Sequence, residues 1–570
     1  MSVARPASGA TAERPIGDGA APAVNVCERL WRAVESFESQ AALVVHAPAA
    51  WLRPTGPHDT FTYSELGERV RRCAAALSAA GVAPGMRVIV LVRPGVYWFA
   101  VTYALFHIGA VPVLIDPGMG RRNLVACLSR VGARAMVGTR IAHIARWLHP
   151  RAFRDVRTNI VAGRGSGLLG LSLERLMRTA GPALPMARPA PDAPAAILFT
   201  SGSTGPAKGV VYTHAVFDAQ VRSLASHFRC GPGDVDLATF PLFALFDVAL
   251  GMTAVIPDMD ATRPGSADPR KIAAAIERHR CSSLFASPAL LRRLAAHLLP
   301  RGLKLPTLRR VLTAGAPIEP RLLADLRRVI APDAEIHTPY GATEALPVSD
   351  IGDREILEET AELSRRGAGT CVGRPLVGLD ARIIAISDEP LPDWSQAQAL
   401  SAGEIGEIVV CGPVVTTEYH GLPEQTRAAK IRDHQGRTWH RLGDVGYFDE
   451  RGRLWYCGRK SQRVCSADGA LFTEPCEAII NQHPAVRRSA LVGIGPGGAE
   501  PAICVEITAE GRRAEPRALL AELAALAQRA PATRSIRTFF VYPREFPVDV
   551  RHNAKIRREE LAAWAARQRR

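Results

Sequence analysis

Residues Thr200-Ser201-Gly202-Ser203-Thr204-Gly205-Pro206-Ala207-Lys208-Gly209 follow an apolar run, Ile197-Leu198-Phe199, and their types suit one task, gripping a polyphosphate. Glycines let the backbone turn its N–H groups toward a ligand, the hydroxyls add donors, and Lys208 supplies a point charge. A P-loop would require Ser or Thr directly after the lysine and then a helix. Here Gly209 and the strand-like Val210-Val211-Tyr212 follow, so ATP is expected but a P-loop NTPase is not. The other lysines are Lys271, Lys304, Lys430, Lys460 and Lys555, in a chain where arginine is abundant, so Lys208 is no product of a lysine-rich background. The same residue types also build plain turns, and the rest of the chain must decide.

Four further segments carry chemistry. In Thr338-Pro339-Tyr340-Gly341-Ala342-Thr343-Glu344, Tyr340 offers a face for stacking an adenine, Thr343 a donor for an α-phosphate, and Glu344 a hard oxygen ligand for Mg²⁺. In Arg441-Leu442-Gly443-Asp444-Val445-Gly446, the carboxylate of Asp444 is expected in a tight Gly-flanked turn, where it can accept two ribose hydroxyls, with Arg459 of Gly458-Arg459 in support. Finally, Phe546-Pro547-Val548-Asp549 and Asn553-Ala554-Lys555-Ile556 put a second cation far in sequence from Lys208. Taken singly, each has a plainer reading: a Tyr-Gly turn, a Gly-Asp turn, a solvated lysine in a basic run.

The elements that must position these residues follow from hydrophobic patterning. Strand-like runs at 88–92, 111–115, 195–200, 253–256, 309–313 and 335–337 alternate with helical stretches such as 65–80, 270–279 and 319–330, which predicts an α/β layered domain with largely parallel sheets. From about residue 376 the texture changes to Gly-punctuated strands at 381–386, 404–410 and 453–457, a small β subdomain. After Gly458-Arg459-Lys460-Ser461 a compact α+β unit begins, with helices near 474–482 and 515–528 and strands near 488–494, 501–507 and 537–542. The expected division is a disordered tail over 1–24, a large domain over 25–460 and a small one over 461–570.

Composition excludes several classes. The chain has 570 residues, 47% of them hydrophobic, and a net charge of +16, but its arginines are dispersed and few aromatics lie among them, which argues for anionic small ligands and against nucleic acid. Its 11 cysteines are scattered with no Cys-x-x-Cys pair, as expected of reduced, mostly buried thiols in a cytoplasmic protein. The N-terminus lacks the apolar core of a signal peptide. Residues 96–115 are apolar enough to suggest a membrane span, but His107, Gly109 and Pro112 interrupt the run, and strand 88–92, helix 97–106 and strand 111–115 form a better parse as a buried βαβ unit.

In their order along the chain, the phosphate loop, the Tyr340–Glu344 segment, the Asp444 segment, Gly458-Arg459 and the Lys555 segment resemble the adenylate-forming superfamily of acyl- and aryl-CoA synthetases, nonribosomal adenylation domains and luciferases. The resemblance runs from about residue 25 over nearly the whole chain. It implies ATP and Mg²⁺ as cofactors, Gly315-Ala316-Pro317 as the second wall of the adenine slot, and a small C-terminal domain that rotates between half-reactions. It also implies that Lys555 bridges the incoming carboxylate and the α-phosphate, where two anions must meet and fixed positive charge offsets the charge of the transition state.

Two departures from the superfamily pattern narrow the resemblance. Thioester-forming members carry Gly-Arg-x-Asp-Asp and, later, a glycine along the pantetheine path; here Ser461 stands at the hinge aspartate and Asp468 at the glycine, so a side chain and a charge enter a narrow passage. In Phe240-Pro241-Leu242-Phe243-Ala244-Leu245-Phe246-Asp247, Ala244 stands where many acyl- and aryl-CoA ligases have His. With Asp116-Pro117-Gly118-Met119-Gly120, the stretch 250–264 and Val548–Lys555, these features resemble the β-lactone synthetases of long-chain olefin biosynthesis, the OleC type. That resemblance implies activation of a 2-alkyl-3-hydroxy fatty acid as acyl-AMP, followed by attack of its own 3-hydroxyl to close a β-lactone. The alternative is a fatty acyl-CoA or acyl-AMP ligase. An internal nucleophile has high effective molarity, so the enzyme's remaining tasks are to fold the substrate and exclude water. His214 and Asp247 are the candidates for a base, each with a structural alternative, and the pathway context implies reductase and α/β-hydrolase partners.

Overall fold

The structure, a computed structural model, describes residues 25–46, 58–115, 117–163, 167–199, 207–513, 515–548 and 556–568. The expected tail over 1–24 lies outside the described residues, as do Thr200–Pro206 and residues 549–555, which include Lys555.

Two seven-stranded sheets form the body of the large N-terminal domain. In one, Leu171–Ser172, Thr158–Val161, Ala135–Gly138, Arg87–Leu91, Val111–Leu114 and Pro194–Phe199 run parallel, and Gly209–Thr213 closes the edge antiparallel. In the other, the order is Glu335–His337, Arg310–Leu312, Ser283–Phe285, Val235–Ala238, Thr253–Ile256 and Ala41–His46, all parallel, with His58–Thr62 antiparallel at the edge. The expected parallel layers are therefore present, each with one reversed edge strand.

The apolar run at 96–115 becomes helix Val96–Ile108 and strand Val111–Leu114, with Gly109 in the left-handed conformation (φ 79°) ending the helix. Residues Trp98 to Ile108 are all buried, and the helix shares one core with Val90 and Leu114 of the first sheet and Leu43 and Ala254 of the second. A helix that is apolar all round needs such a sandwiched place. Among the described residues no helix is long and apolar enough to cross a membrane. Helix Tyr63–Ala79, which packs on it, starts at a capping box in which Thr62 and Glu65 satisfy each other's backbone N–H groups.

The third sheet is antiparallel and eight-stranded: Tyr340–Ala342, Ala345–Asp350, Thr370–Pro375, Leu454–Arg459, Thr438–Phe448, Gly406–Cys411 and Asp380–Ile384, with Lys430–Arg432 paired to Thr438–Phe448. Beyond it the hairpin Val464–Ser466/Gly469–Leu471 leads to the smaller C-terminal domain. There Val486–Ile494, Glu500–Ile507 and Thr538–Val541 form a sheet that packs with helices Thr473–Ile480, Pro516–Gln528 and Arg558–Gln568. Ten of the cysteines are buried and Cys465 is exposed; none is paired.

Candidate active site

The Tyr340–Glu344 segment leaves strand Glu335–His337 at its C-terminal end, the side of an open parallel sheet where ligands bind. It folds as a hairpin against Ala345–Asp350. Gly341 is required there because a Cβ would meet the Ala345 carbonyl oxygen at 2.7 Å. Gly315-Ala316-Pro317 leaves the neighbouring strand end, since Leu312 is in register with His337 and the Thr313 N–H donates to the His337 carbonyl. The two walls expected of an adenine slot thus rise from adjacent strands, and Gly315 turns with φ 92°.

Tyr340 and Asp444 meet directly: the phenol donates to Asp444 Oδ2 at 2.5 Å, and Arg459 Nη1 donates to Asp444 Oδ1 at 2.7 Å. Burial, with the Asp444 charge second, keeps the Tyr340 hydroxyl protonated. The expected turn at Asp444 is corrected by the structure. Asp444 lies within the long strand Thr438–Phe448, in register with Arg459 across the ladder. Gly443 takes φ 69° inside that strand, so the glycine marks a local twist in a continuous strand and not a chain reversal. Arg441 of the same segment is structural, its guanidinium buried against Glu407 at 2.7 Å.

Three segments bring Lys208, Glu344 and Tyr419 together. Residues 418–420 dock on the strand that follows Lys208, through Val211 N–H to Glu418 O and His420 N–H to Gly209 O. The Tyr212 hydroxyl donates to the Thr343 carbonyl at 2.6 Å, tying that strand to the hairpin. The Tyr419 hydroxyl donates to Glu344 Oε1 at 2.6 Å, and Lys208 Nζ lies 4.7 Å from the centre of the Tyr419 ring. Burial lowers the Lys208 pKa, and the Glu344 charge opposes it.

Sequence reasoning missed Tyr419, Thr416 and Lys430. Thr416 donates both its N–H (2.9 Å) and its hydroxyl (3.0 Å) to the Glu344 carbonyl, and Lys430 Nζ in turn donates to the Thr416 carbonyl. Lys430 is 6% exposed; burial pushes its pKa down to about 7, opposed by Glu344 and reinforced by Arg432 and Lys208. The scarcity of lysine that singles out Lys208 could have pointed to Lys430 as well.

The two candidate bases face inward. His214 is 1% exposed and its Nδ1 accepts the Val26 N–H. Asp247 is buried beside Asp236, and burial, then the Asp236 charge, pushes its carboxyl pKa up. In the same segment Phe240, Phe243 and Phe246 form, with Phe217 and Phe285, a run of ring contacts at 4.4–6.1 Å. Ala244, in the same stretch, is fully buried. Asp468 is exposed in the turn of the 464–471 hairpin and lines, with Tyr447, Arg534 and Arg537, a cavity of about 870 Å³ beside the C-terminal domain.

A fold of two largely parallel sheets and a β subdomain, carrying this hairpin, the Asp444–Arg459 pair and Lys208, defines a class: residues 30–420 match the AMP-binding enzyme family, and the chain belongs to it. Within that class the chain is 48% identical over 513 residues to the olefin beta-lactone synthetase of Stenotrophomonas maltophilia, covering 89% of this chain and 91% of that one. It is equally similar, 48% over 516 residues, to the olefin beta-lactone synthetase of Xanthomonas campestris pv. campestris, covering 90% and 92%. Among solved structures, the amide bond synthetase McbA from Marinactinospora thermotolerans superposes with a TM-score of 0.74 at 25% identity, covering 95% of this chain and 99% of that one. ATP-bound MatB from Rhodopseudomonas palustris shares the fold, with a TM-score of 0.77 at 21% identity and 96% and 100% coverage.

Proposed function

We propose that this enzyme activates a long-chain 2-alkyl-3-hydroxy fatty acid with ATP and closes it to a β-lactone. In the first step a substrate carboxylate oxygen attacks the α-phosphorus, the bond to pyrophosphate breaks, and acyl-AMP forms. In the second, the 3-hydroxyl oxygen attacks the activated carbonyl, the bond to AMP breaks, and the hydroxyl proton passes to water. The observation that carries the lactone assignment is 48% identity to olefin beta-lactone synthetases over nine-tenths of both chains. The phenylalanine-rich wall from Phe240 to Phe246 suits an apolar substrate.

In this reading Thr200, Ser201, Gly202, Ser203, Thr204, Gly205 and Lys208 hold the leaving pyrophosphate. Tyr340 and Gly341 face Gly315-Ala316-Pro317 across the adenine, Thr343 meets the α-phosphate, Asp444 takes the ribose hydroxyls with Arg459 behind it, and Lys555 meets the carboxylate. The donor set fits a magnesium nucleotide, because Glu344 is a hard oxygen ligand held by Tyr419 beside the Lys208 ammonium. When bound, Mg²⁺ neutralises phosphate charge as it develops. The division near residue 460, a cytoplasmic location and action beside a reductase and an α/β-hydrolase belong to the same proposal.

Incubation with ATP, Mg²⁺ and a synthetic 2-alkyl-3-hydroxy acid, with and without CoA, tests it by product identification. A lactone formed without CoA is expected; obligatory thioester formation would make the enzyme a CoA ligase instead.

A further inference from the structure

Outside the nucleotide site, two histidines from separate elements converge on one carboxylate oxygen. His227 Nε2, near the end of helix His214–Phe228, lies 3.0 Å from Asp350 Oδ2, and His337 Nδ1, at the end of strand Glu335–His337, lies 2.7 Å from the same atom. All three donor atoms lie within 4.8 Å of one another. The Asp350 side chain is 5% exposed, yet its Oδ1 is buried without a hydrogen-bond partner among the described residues. Glu335 Oε2 stands 3.4 Å from His337 Nε2, on the side of the ring away from Asp350. The Phe228 ring walls the group, with centroids 4.7 Å from His227 and 5.1 Å from His337, while His227, 36% exposed, leaves an entry from solvent.

We infer that His227, His337 and Asp350 form a binding site for a divalent transition-metal ion such as Zn²⁺. The donor set decides the class: two imidazole nitrogens and one carboxylate suit zinc and its first-row neighbours, whereas calcium and magnesium take oxygen sets. Bond lengths of about 2.0–2.1 Å at tetrahedral angles separate neighbouring donors by about 3.3 Å. The observed 2.7 Å (His337–Asp350) and 3.0 Å (His227–Asp350) are shorter by about 0.6 and 0.3 Å, so binding opens the group through small side-chain rotations of Asp350 and His337 and of the exposed His227. Glu335, placed to accept from His337 Nε2, would fix the tautomer that leaves Nδ1 as the ligand, the usual outer partner of a metal-bound histidine.

The site lies behind the adenine hairpin. Ser349, the residue before Asp350, is in register with Tyr340, and Thr338, the residue after His337, donates its N–H and hydroxyl to Ile351 O. A bound ion ties the end of helix His214–Phe228 to both strands that carry the hairpin. Its role is a brace separate from the Mg²⁺ chemistry at Glu344, and it stands whether or not the lactone assignment does.

The test uses the full chain, stripped with a chelator and titrated with Zn²⁺ by calorimetry and with Co²⁺ by visible absorption. One equivalent of Zn²⁺, a Co²⁺ d–d band and a Zn²⁺-dependent rise in melting temperature are expected, with affinity weakened at least tenfold in His227→Ala. His279→Ala is the control, because His46, His58 and His279 form another cluster of rings at 4.7–6.1 Å. Stoichiometric binding that survives His227→Ala, or that His279→Ala abolishes, overturns the site. So does wild-type protein that binds no equivalent of Zn²⁺, which would leave the group as histidines hydrogen-bonded to one carboxylate.

Discussion

Tyr419 donates its hydroxyl to Glu344 Oε1 at 2.6 Å while its ring faces the Lys208 ammonium at 4.7 Å, so one side chain orients both the acidic and the basic group of the proposed phosphate site. A hydrogen bond to a carboxylate contributes about 1.5–3 kcal/mol. Tyr419→Phe keeps the ring under Lys208 and removes that bond. ATP–pyrophosphate exchange should fall about tenfold, and the Mg²⁺ concentration for half-maximal rate should rise, because Glu344 is then free to rotate. An unchanged Mg²⁺ dependence would show that Tyr419 is only a packing residue.

Asp444 accepts from Tyr340 at 2.5 Å and from Arg459 at 2.7 Å, which leaves the carboxylate fixed in orientation between the aromatic wall and the guanidinium. Asp444→Asn preserves shape but removes the charge that Arg459 pairs with. The expected result is a rise in KM for ATP of about ten- to a hundredfold, in the range of a lost charge-assisted hydrogen bond or two, with near-native melting. ATP saturation curves and thermal unfolding, measured on the same preparation, separate binding from folding.

Lys430 is buried at 6% exposure with its pKa pushed down to about 7 from 10.5. The charged form is therefore disfavoured in the folded state. Its cost, roughly 3–5 kcal/mol, is fully present below pH 7 and fades as pH rises toward 10.5, where the unfolded chain also loses the proton. Lys430→Met should raise the melting temperature near pH 6.5, and the gap to wild type should narrow as pH increases. Adenylation should fall at least tenfold, since Thr416, which Lys430 holds, carries the backbone contact to Glu344. A variant both more stable and fully active would remove Lys430 from the site.

Much of this was legible because buried parallel strands leave continuous apolar runs: the run read at 88–92 is strand Arg87–Leu91, and that at 335–337 is Glu335–His337. The eleven-residue strand Thr438–Phe448 was not, because Gly443 and Gly446 around Asp444 look like punctuation of a turn. There the left-handed Gly443 serves a twist within the ladder, and pairing with Gly406–Cys411 overrides the local signal. Lys208, Glu344, Asp444 and Arg459 could be named from motif order. Tyr419 and Lys430 could not, since their place depends on residues 418–420 docking on an edge strand some two hundred residues earlier, a contact that no local spacing encodes. The phosphate loop from Thr200 to Gly205 and Lys555 lie outside the described residues, so their expected roles rest on sequence alone.

His214 begins helix His214–Phe228, accepts the Val26 N–H at Nδ1, and is 1% exposed. Burial pushes its pKa down to about 4 from 6.5. Between those values the unfolded chain binds a proton that the folded chain does not, so stability falls as pH drops from 6.5 toward 4 and levels off below. The loss from this one group is about 3 kcal/mol. His214→Gln keeps a side-chain acceptor but cannot charge. Its unfolding free energy should change less than wild type's between pH 6.5 and 4.5 in denaturant melts, while adenylation at pH 7.5 stays near wild type because the ring faces the core. If His214→Gln instead abolished lactone closure and left adenylation intact, the histidine would be reinstated as the base for the 3-hydroxyl.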